Sequence, residues 1–392
     1  MPHGEIILGL PGYQIKDIRR HNGQVEIWAR HAGPICCPHC QGGRLRKKDR
    51  FERCLRHESW GMHTCVLHLE ARKYLCLDCK RYFNQRFPGI MPRRRSTEPF
   101  RRQVFWLHMD GICRKKLAER QRMGTATVER WFKDFLKLEV AKLGSEECPR
   151  ILGIDEHFFT RKKGYATTFC DLKHHKVYDV VLGRSEAALE GYLRCLKGKD
   201  KVRMVCIDLS SSYRSLVRKH FPNARIVADR FHVVRLINQY FMYAWKELDA
   251  IGSKNRGLIS LIRRHPVNLR PEQQLRLRAY LKEHPEIEAI YDFKQQLMEL
   301  LLLKTQKARV CKKLIPKLLD YIHQLKTCGL PTLQQLGRTL GSWSGEIAAM
   351  WRFSKNNGIT EGFHNKMEVL SRRAYGFRNF ENYRQQVRVM CA

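Results

Sequence analysis

The spacing of apolar residues changes several times along the chain, and each change predicts a different kind of element. Up to about residue 92, alternating stretches such as Val66-Leu-His-Leu-Glu70 predict short strands. From Phe100 to Leu138 the period becomes helical. Val104, Phe105, Leu107 and Met109 form one face that Gly111 ends, and Lys115 to Gly124 forms a short helix and a turn. Thr125 or Thr127 can cap a third helix that runs through Val128, Trp131, Phe132 and Phe135. From Pro149 the pattern predicts strands at Ile151–Phe159, Tyr165–Asp171 and Lys176–Leu182, then a helix over Ser185–Leu196. A strand at Val202–Asp208, a helix at Ser210–His220, a strand at Ala224–Asp229 and a helix from Phe231 follow. Residues 236–344 read as almost wholly helical, with Leu297, Leu300, Leu301, Leu314, Leu318, Leu319, Ile322 and Leu325 as their core. A last helix follows Gly358-Ile-Thr-Glu361-Gly.

Three strands, helix, strand, helix, strand, helix is the order of an α/β ribonuclease-H-like core. The predicted organisation is therefore an N-terminal zinc-ribbon domain (1–92), a helix-turn-helix domain (93–145), a first core segment (146–235), an all-helical insertion (236–344) and a second core segment (345–392). At about 150 residues per domain, 392 residues suit such a multidomain chain.

Charge narrows the partners. Lys and Arg number 74 against 38 Asp and Glu, a net +36 whose self-repulsion a polyanion would offset. Residues 40–137 alone carry 25 Lys and Arg against 10 Asp and Glu, well above a proportional share of about +9. Nucleic acid is the expected partner. No apolar run approaches bilayer length, and the first residues lack the pattern of a signal peptide, so a cytoplasmic, nucleoid-associated protein with no membrane partner is expected. Fifteen cysteines without an export signal argue against a disulfide framework.

Four cysteines are ordered as Cys37-Pro-His-Cys40 and Cys76-Leu-Asp-Cys79, two tight turns that together offer four thiolates to one Zn²⁺. A redox pair or scattered core cysteines is the alternative, and Cys36, Cys54, Cys65, His57 and His63 leave the ligand set open. The helix–turn–helix pattern would lay its last helix in the major groove, with Thr125, Thr127, Glu129 and Arg130 at base edges. Arg93, Arg94 and Arg95 of a Pro-rich basic linker, with Lys115 and Lys116, are also expected to bind DNA. A helical hairpin with a solvated basic face is the alternative. In the inferred sheet the first and fourth strands are neighbours, which brings Asp155 beside Asp208. Paired carboxylates there suit Mg²⁺ or Mn²⁺ and phosphodiester chemistry with two ions about 3.5–4 Å apart.

The motifs, taken in order, resemble DDE transposases of the ISL-three insertion-sequence family over essentially the whole chain. The resemblance rests on the two cysteine pairs, Gly153-Ile-Asp-Glu156, Ile207-Asp-Leu-Ser-Ser-Ser-Tyr213 and Asp229-Arg-Phe-His-Val-Val234. It also rests on Asn357-Gly-Ile-Thr-Glu-Gly362 and Arg373-Ala-Tyr-Gly-Phe-Arg-Asn-Phe380. It implies a catalytic, metal-binding triad of Asp155, Asp208 and Glu361. It also implies cleavage and strand transfer at terminal inverted repeats, and a homodimer or larger assembly on double-stranded DNA. The chain departs from the family pattern at His364 and Glu368, where asparagine and lysine are expected. Lys366 lies about 140° round the helix from Glu361 and is expected to contact DNA. Asp229 reads as a helix N-cap, Glu156 as pointing away from Asp155, and Tyr213 as a packing residue. The rival functions are a catalytically inactive, transposase-derived DNA-binding regulator and a structure-selective nuclease.

Overall fold

The structure, a computed structural model, describes residues 7–144, 147–304, 307–353 and 358–392. The first six residues, the predicted boundary at 145–146 and Asn357 of the quoted motif lie outside them. The chain forms two compact units that divide between Lys142 and Leu143.

Alternation builds the first unit. Strand β1 (Tyr13–His21) turns into β2 (Gln24–His31) through Asn22 and Gly23, both at positive φ as a tight hairpin turn requires. Strands β3 (Leu45–Trp60) and β4 (His63–Cys76) form a long hairpin, and β5 (Tyr82–Asn84) returns along β4. The order is β1-β2-β4-β3, with β2 parallel to β4. Val25, Ile27 and Ala29 of β2 and Cys65, Leu67, Leu69 and Ala71 of β4 face one core with Leu8, Leu10, Tyr13, Leu55 and Phe87. The strands between the cysteine pairs are thus 16 and 14 residues long, where short ones were expected. The first half of β3 is charged and mostly exposed, so it carries no apolar alternation to read.

Three helices complete this unit: α1 (Glu98–Met109), α2 (Arg114–Arg120) and α3 (Thr125–Leu143). Thr97 caps α1 by accepting from the Phe100 amide at 3.3 Å. Phe100, Val104, Leu117, Ala118, Val128 and Trp131 form their shared core. Helix α3 begins at Thr125 itself, so Gly124 stands where the sequence suggested a threonine cap, its carbonyl accepting from Thr127 and Val128. The basic segment before α1 is not a free tether. Arg56 and Arg95 share a backbone hydrogen bond, Arg53 donates to the Arg94 carbonyl, and the Arg56 guanidinium donates to the carbonyls of Gln121 and Arg122.

The second unit is a mixed sheet among helices. Its strands are β6 (Ile151–Thr160), β7 (Gly164–Asp171), β8 (Lys176–Leu182), β9 (Met204–Ile207) and β10 (Arg225–Ala228), in the order β10-β9-β6-β7-β8. β6, β9 and β10 run parallel, and β6, β7 and β8 form an antiparallel meander. Helices α4 (Glu186–Cys195) and α5 (Ser211–His220), capped by Ser185 and Ser210, connect β8 to β9 and β9 to β10, and α6 (Arg230–Leu248) follows β10. Helices α7 (Arg256–Arg263), α8 (Pro271–Glu283), α9 (Pro285–Leu302), α10 (Ala308–Thr327), α11 (Pro331–Ser342), α12 (Ser344–Arg352), α13 (Gly358–Arg373) and α14 (Phe380–Met390) follow. Leu297, Leu300, Leu301, Leu318, Ile322 and Leu325 share one buried cluster with the sheet, whereas Leu319 faces solvent. Trp245, Leu258, Leu261, Leu277 and Tyr291 make a second, smaller core.

Candidate active site and metal centre

The parallel pairing of β6 with β9 sets the site. Ile151, Leu152 and Gly153 lie opposite Met204, Val205 and Cys206, so the register carried two residues further brings Asp155 level with Asp208 at the end of β9. Both carboxyls are largely buried, and burial is the main reason that both resist ionisation. The Asp155 carboxyl is pushed up to about 7, with the charges of Asp229, Glu156 and Glu361 adding to the effect of burial. That of Asp208 is pushed up to about 6 by burial and by Asp155 and Glu156, while His232 pulls the other way. The Asp155 Oδ1 accepts from the Glu156 amide at 2.8 Å. The Asp208 Oδ1 is buried without a hydrogen-bond partner, an unmet need that a cation would satisfy.

Glu361 stands in the first turn of α13, exposed, and its charge reaches Asp155. The three carboxylates do not converge as tightly as the cysteines below: among the described residues, no three ligand atoms here lie within 4.8 Å of one another. The same helix sends His364 toward the site, its Nδ1 4.0 Å from Asp155 and its Nε2 3.1 Å from the Thr168 hydroxyl. Burial lowers His364 to about 4, so it is neutral at ordinary pH. Glu368 points elsewhere and pairs with Arg372 at 2.6 Å. Lys366 is exposed, its ammonium over the Phe363 ring.

Asp229 carries more than the sequence suggested. It occupies the N-cap position of α6, but its side chain makes no capping bond; it is buried, lies 3.6 Å from His232 and adds its charge to Asp155. The available signal was its place at the end of a strand next to β9. Glu156 turns away, as alternation requires, to Arg184 at 3.2 Å. Tyr213 is buried, its hydroxyl 3.1 Å from that of Thr167, in a packing role. The carboxylates of Asp155 and Asp208, both largely buried, are donors of the kind that suits a hard cation such as Mg²⁺ or Mn²⁺, and Asp229 and Glu361 both add their charge to Asp155.

In the first unit, Cys37 and Cys40 form a turn before β3, and Cys76 and Cys79 close the end of β4. Each turn places a left-handed residue directly after its second cysteine, Gln41 in one and Lys80 in the other. A Cβ at Gly42 would lie 2.2 Å from the Asp78 carboxylate and 3.3 Å from the Cys40 sulfur, so a larger residue there would displace the Asp78 side chain. Sulfur separations are 3.6 Å for Cys37–Cys79 and 3.5 Å for Cys40–Cys76, and all four ligand atoms lie within 4.8 Å of one another. Tetrahedral Zn–S bonds of about 2.3 Å give edges of about 3.8 Å, so the four thiols can hold one metal ion with little movement. The other candidates lie apart. Cys65 belongs to the sheet core and its thiol is pushed up to about 12 by burial, His57 bonds to Thr97, and His63 meets Arg20.

Arg93, Arg94, Arg95, Lys115, Lys116, Thr125 and Arg130 are exposed, and Thr127 is half-buried. Glu129 is committed within the module, to Arg114 at 2.5 Å and Lys133 at 2.8 Å. Among the described residues no helix is long and apolar enough to cross a membrane.

Residues 152–387 match a family described as a transposase, the ISL3-type DDE class. That stretch lies within the second unit and contains Asp155, Asp208 and Glu361. The chain is 24% identical over 337 residues to the transposase for insertion sequence element IS1001 of Bordetella parapertussis, covering 83% of this chain and 81% of that protein. It is 22% identical over 261 residues to the transposase for insertion sequence element IS1557 of Mycobacterium tuberculosis, covering 59% of this chain and 57% of that protein.

Proposed function

The chain belongs to the ISL3-type DDE transposase family, and on that premise we propose that it cleaves DNA at the terminal inverted repeats of an insertion sequence and transfers the freed ends to target DNA. The observation that carries this reading is the pair of largely buried, level carboxylates, Asp155 within β6 and Asp208 directly after β9, with one Asp208 oxygen lacking a hydrogen-bond partner. The second unit is then a ribonuclease-H-like core holding the helical segment 236–344 as an insertion. Its second part, 345–392, contributes Glu361.

Asp155, Asp208 and Glu361 would hold Mg²⁺ or Mn²⁺, which supplies Lewis-acid stabilisation of the leaving oxygen and a better nucleophile at the phosphodiester. The protein's own part is positional. Buried strands fix the two aspartates, and the Thr168 hydroxyl orients His364 beside Asp155. No side chain forms a covalent bond to DNA, and Tyr213, buried against Thr167, needs no such role.

The first unit would read the element's ends. Its four cysteines hold Zn²⁺ in a ribbon (1–92), and α2 and α3 act as a helix-turn-helix (93–145) with Thr125, Thr127 and Arg130 at base edges and Lys115 and Lys116 on phosphates. Staging two ends calls for a homodimer or larger assembly on double-stranded DNA. The test is strand cleavage by the purified chain on DNA from both flanks of its own gene, with Mg²⁺, beside Asp155→Ala, Asp208→Ala and Glu361→Ala. Metal-dependent nicking at one defined position, lost in all three variants, is expected. Tight, specific binding with no cut, even in Mn²⁺, would favour a regulator derived from a transposase.

A further inference from the structure

The first unit carries a second cluster of metal-ligating side chains, on the sheet face opposite its core. Leu67 of β4 faces the core between Ile27 of β2 and Leu55 of β3, so the next residue, His68, faces outward between Trp28 and Cys54. Two residues before these neighbours stand Glu26 and Glu52, on the same outward face. The sequence left Cys54 as an unassigned thiol near the knuckles.

The contacts are close. His68 Nδ1 lies 2.8 Å from Glu52 Oε1, and the Cys54 sulfur lies 3.6 Å from each of those atoms. The three ligand atoms lie within 4.8 Å of one another, the only such group among the described residues besides the four knuckle cysteines. On the far side of the ring, His68 Nε2 is buried without a hydrogen bond, 3.8 Å from Glu26 Oε2. The Trp28 ring stacks on the imidazole at 4.6 Å and 14°, which holds the ring plane.

We propose that Glu52, Cys54 and His68 form a second site for a zinc-class divalent ion, distinct from the four-cysteine centre. The argument is one of donor type and arrangement. A thiol, an imidazole nitrogen and a carboxylate converging on one point match borderline ions such as Zn²⁺, Co²⁺ or Ni²⁺, and not Mg²⁺. Bonds of about 2.0–2.3 Å need ligand edges of about 3.3–3.8 Å, and both sulfur edges already meet that. The shorter carboxylate–imidazole edge is a hydrogen bond that the ion would replace. With the ion on Nδ1, the proton stays on Nε2 facing Glu26, the outer carboxylate partner that metal-bound histidines usually have. Cys54 and Glu52 are exposed, so water can take the fourth position. An ion there ties β3 to β4 at His68, whose ring is held from β2 by Trp28 and Glu26. It lies about nine residues, or about 30 Å, along the hairpin from the knuckles.

The test uses the full-length protein, stripped of metal and titrated with Co²⁺ and separately with Zn²⁺, read by absorbance and by metal content. Two thiolate-bound equivalents per chain are expected, distinguished by their sulfur-to-metal bands from any ion held by the carboxylates of the second unit. One should carry the spectrum of four thiolates and the other that of a single thiolate with nitrogen and oxygen. Cys54→Ala, His68→Ala and Glu52→Gln should each remove or weaken only the second, at least tenfold in affinity. The intact four-thiolate spectrum then reports that the unit is still folded. Wild-type protein with a single thiolate-bound equivalent, or a second thiolate-bound equivalent that survives both Cys54→Ala and His68→Ala, overturns the proposal. Either outcome leaves the transposase reading untouched.

Discussion

Asp155 and Asp208, 53 residues apart in the chain, lie level with each other because β6 and β9 pair in parallel with the same offset of 53. Carboxylates at the same height on neighbouring strands create a buried charge problem, and it is visible in the resistance of both groups to ionisation. Asp208 has one oxygen with no protein partner, so the protein leaves that problem for a cation to solve.

Removing a member of the set should therefore affect chemistry and leave binding intact. Asp155→Asn, Asp208→Asn and Glu361→Gln keep size and hydrogen bonding while deleting charge. Each should slow strand cleavage by at least about a thousandfold, roughly 4 kcal/mol of transition-state stabilisation, with DNA affinity unchanged. Glu361 is the most informative of the three, since it is exposed and its neutral variant has little effect on folding. Full cleavage by Glu361→Gln would remove it from the site and turn attention to Asp229.

The raised carboxyl groups also make stability depend on pH and metal together. In the unfolded chain an aspartate titrates near about 3.9, whereas Asp155 folds at about 7 and Asp208 at about 6. The folded state binds these protons more tightly, so their contribution to stability is complete below about pH 4. It is lost as pH rises through 6 and then 7. Without metal, the melting temperature of the wild type should fall between about pH 5 and 8 relative to Asp155→Asn/Asp208→Asn. Mg²⁺ competes with those protons, so the melting temperature it adds should be small at about pH 5 and grow toward about pH 8. An increment from Mg²⁺ that is the same at both pH values would place the ion elsewhere.

How much of this could be read beforehand depended on whether a residue's role was set locally or by its neighbours. The strands and helices between Ile151 and Leu248 were legible because their apolar period switches cleanly and serines mark the helix starts. The β1–β2 hairpin was overlooked although Asn22-Gly23 is a strong turn signal; its strands are mostly polar on one side and short in apolar runs. The length of β3 was hidden for a similar reason, since Lys47 to Arg50 sit in solvent and leave no alternation. Asp229 read as a cap because its sequence position allowed it. Only the approach of β10 to β9 turns its carboxylate toward Asp155. Cys54 and His68 were 14 residues apart with nothing to join them until the hairpin register did.

Zinc removal should act on one end of the first unit rather than on all of it. The knuckles pack in a small cluster with Tyr74, Phe83, Ile35 and Leu45, whereas Ile27, Leu67 and Leu69 belong to a separate, larger core. Cys37→Ser should release the four-cysteine ion and expose residues 35–46 and 76–82 to protease, while β1, β2 and the middle of β3 and β4 stay protected. Hydrogen exchange read by mass spectrometry would show this directly. Uniform loss of protection across the unit would mean that the metal holds the whole sheet.

The two helices at Arg114–Arg120 and Thr125–Leu143 make the sharpest prediction about DNA, because their exposed cations differ in position. Lys115 and Lys116 lie on the shorter helix, exposed, where point charges would meet phosphates. Alanine at either should weaken binding to every sequence alike and reduce the slope of log affinity against log salt by about 1. Arg130 is exposed in the second turn of the longer helix, where a guanidinium would reach a guanine edge. Arg130→Ala should cost about 1–3 kcal/mol on the element's own ends and little on unrelated DNA, narrowing the gap between them. Glu129 serves as the internal control, since its carboxylate is already held by Arg114 and Lys133. Its replacement by glutamine should leave the preference for the element's ends in place. If Arg130→Ala weakened specific and unrelated DNA equally, this helix would be lying along the backbone, and the base-reading surface would have to be sought elsewhere in the first unit.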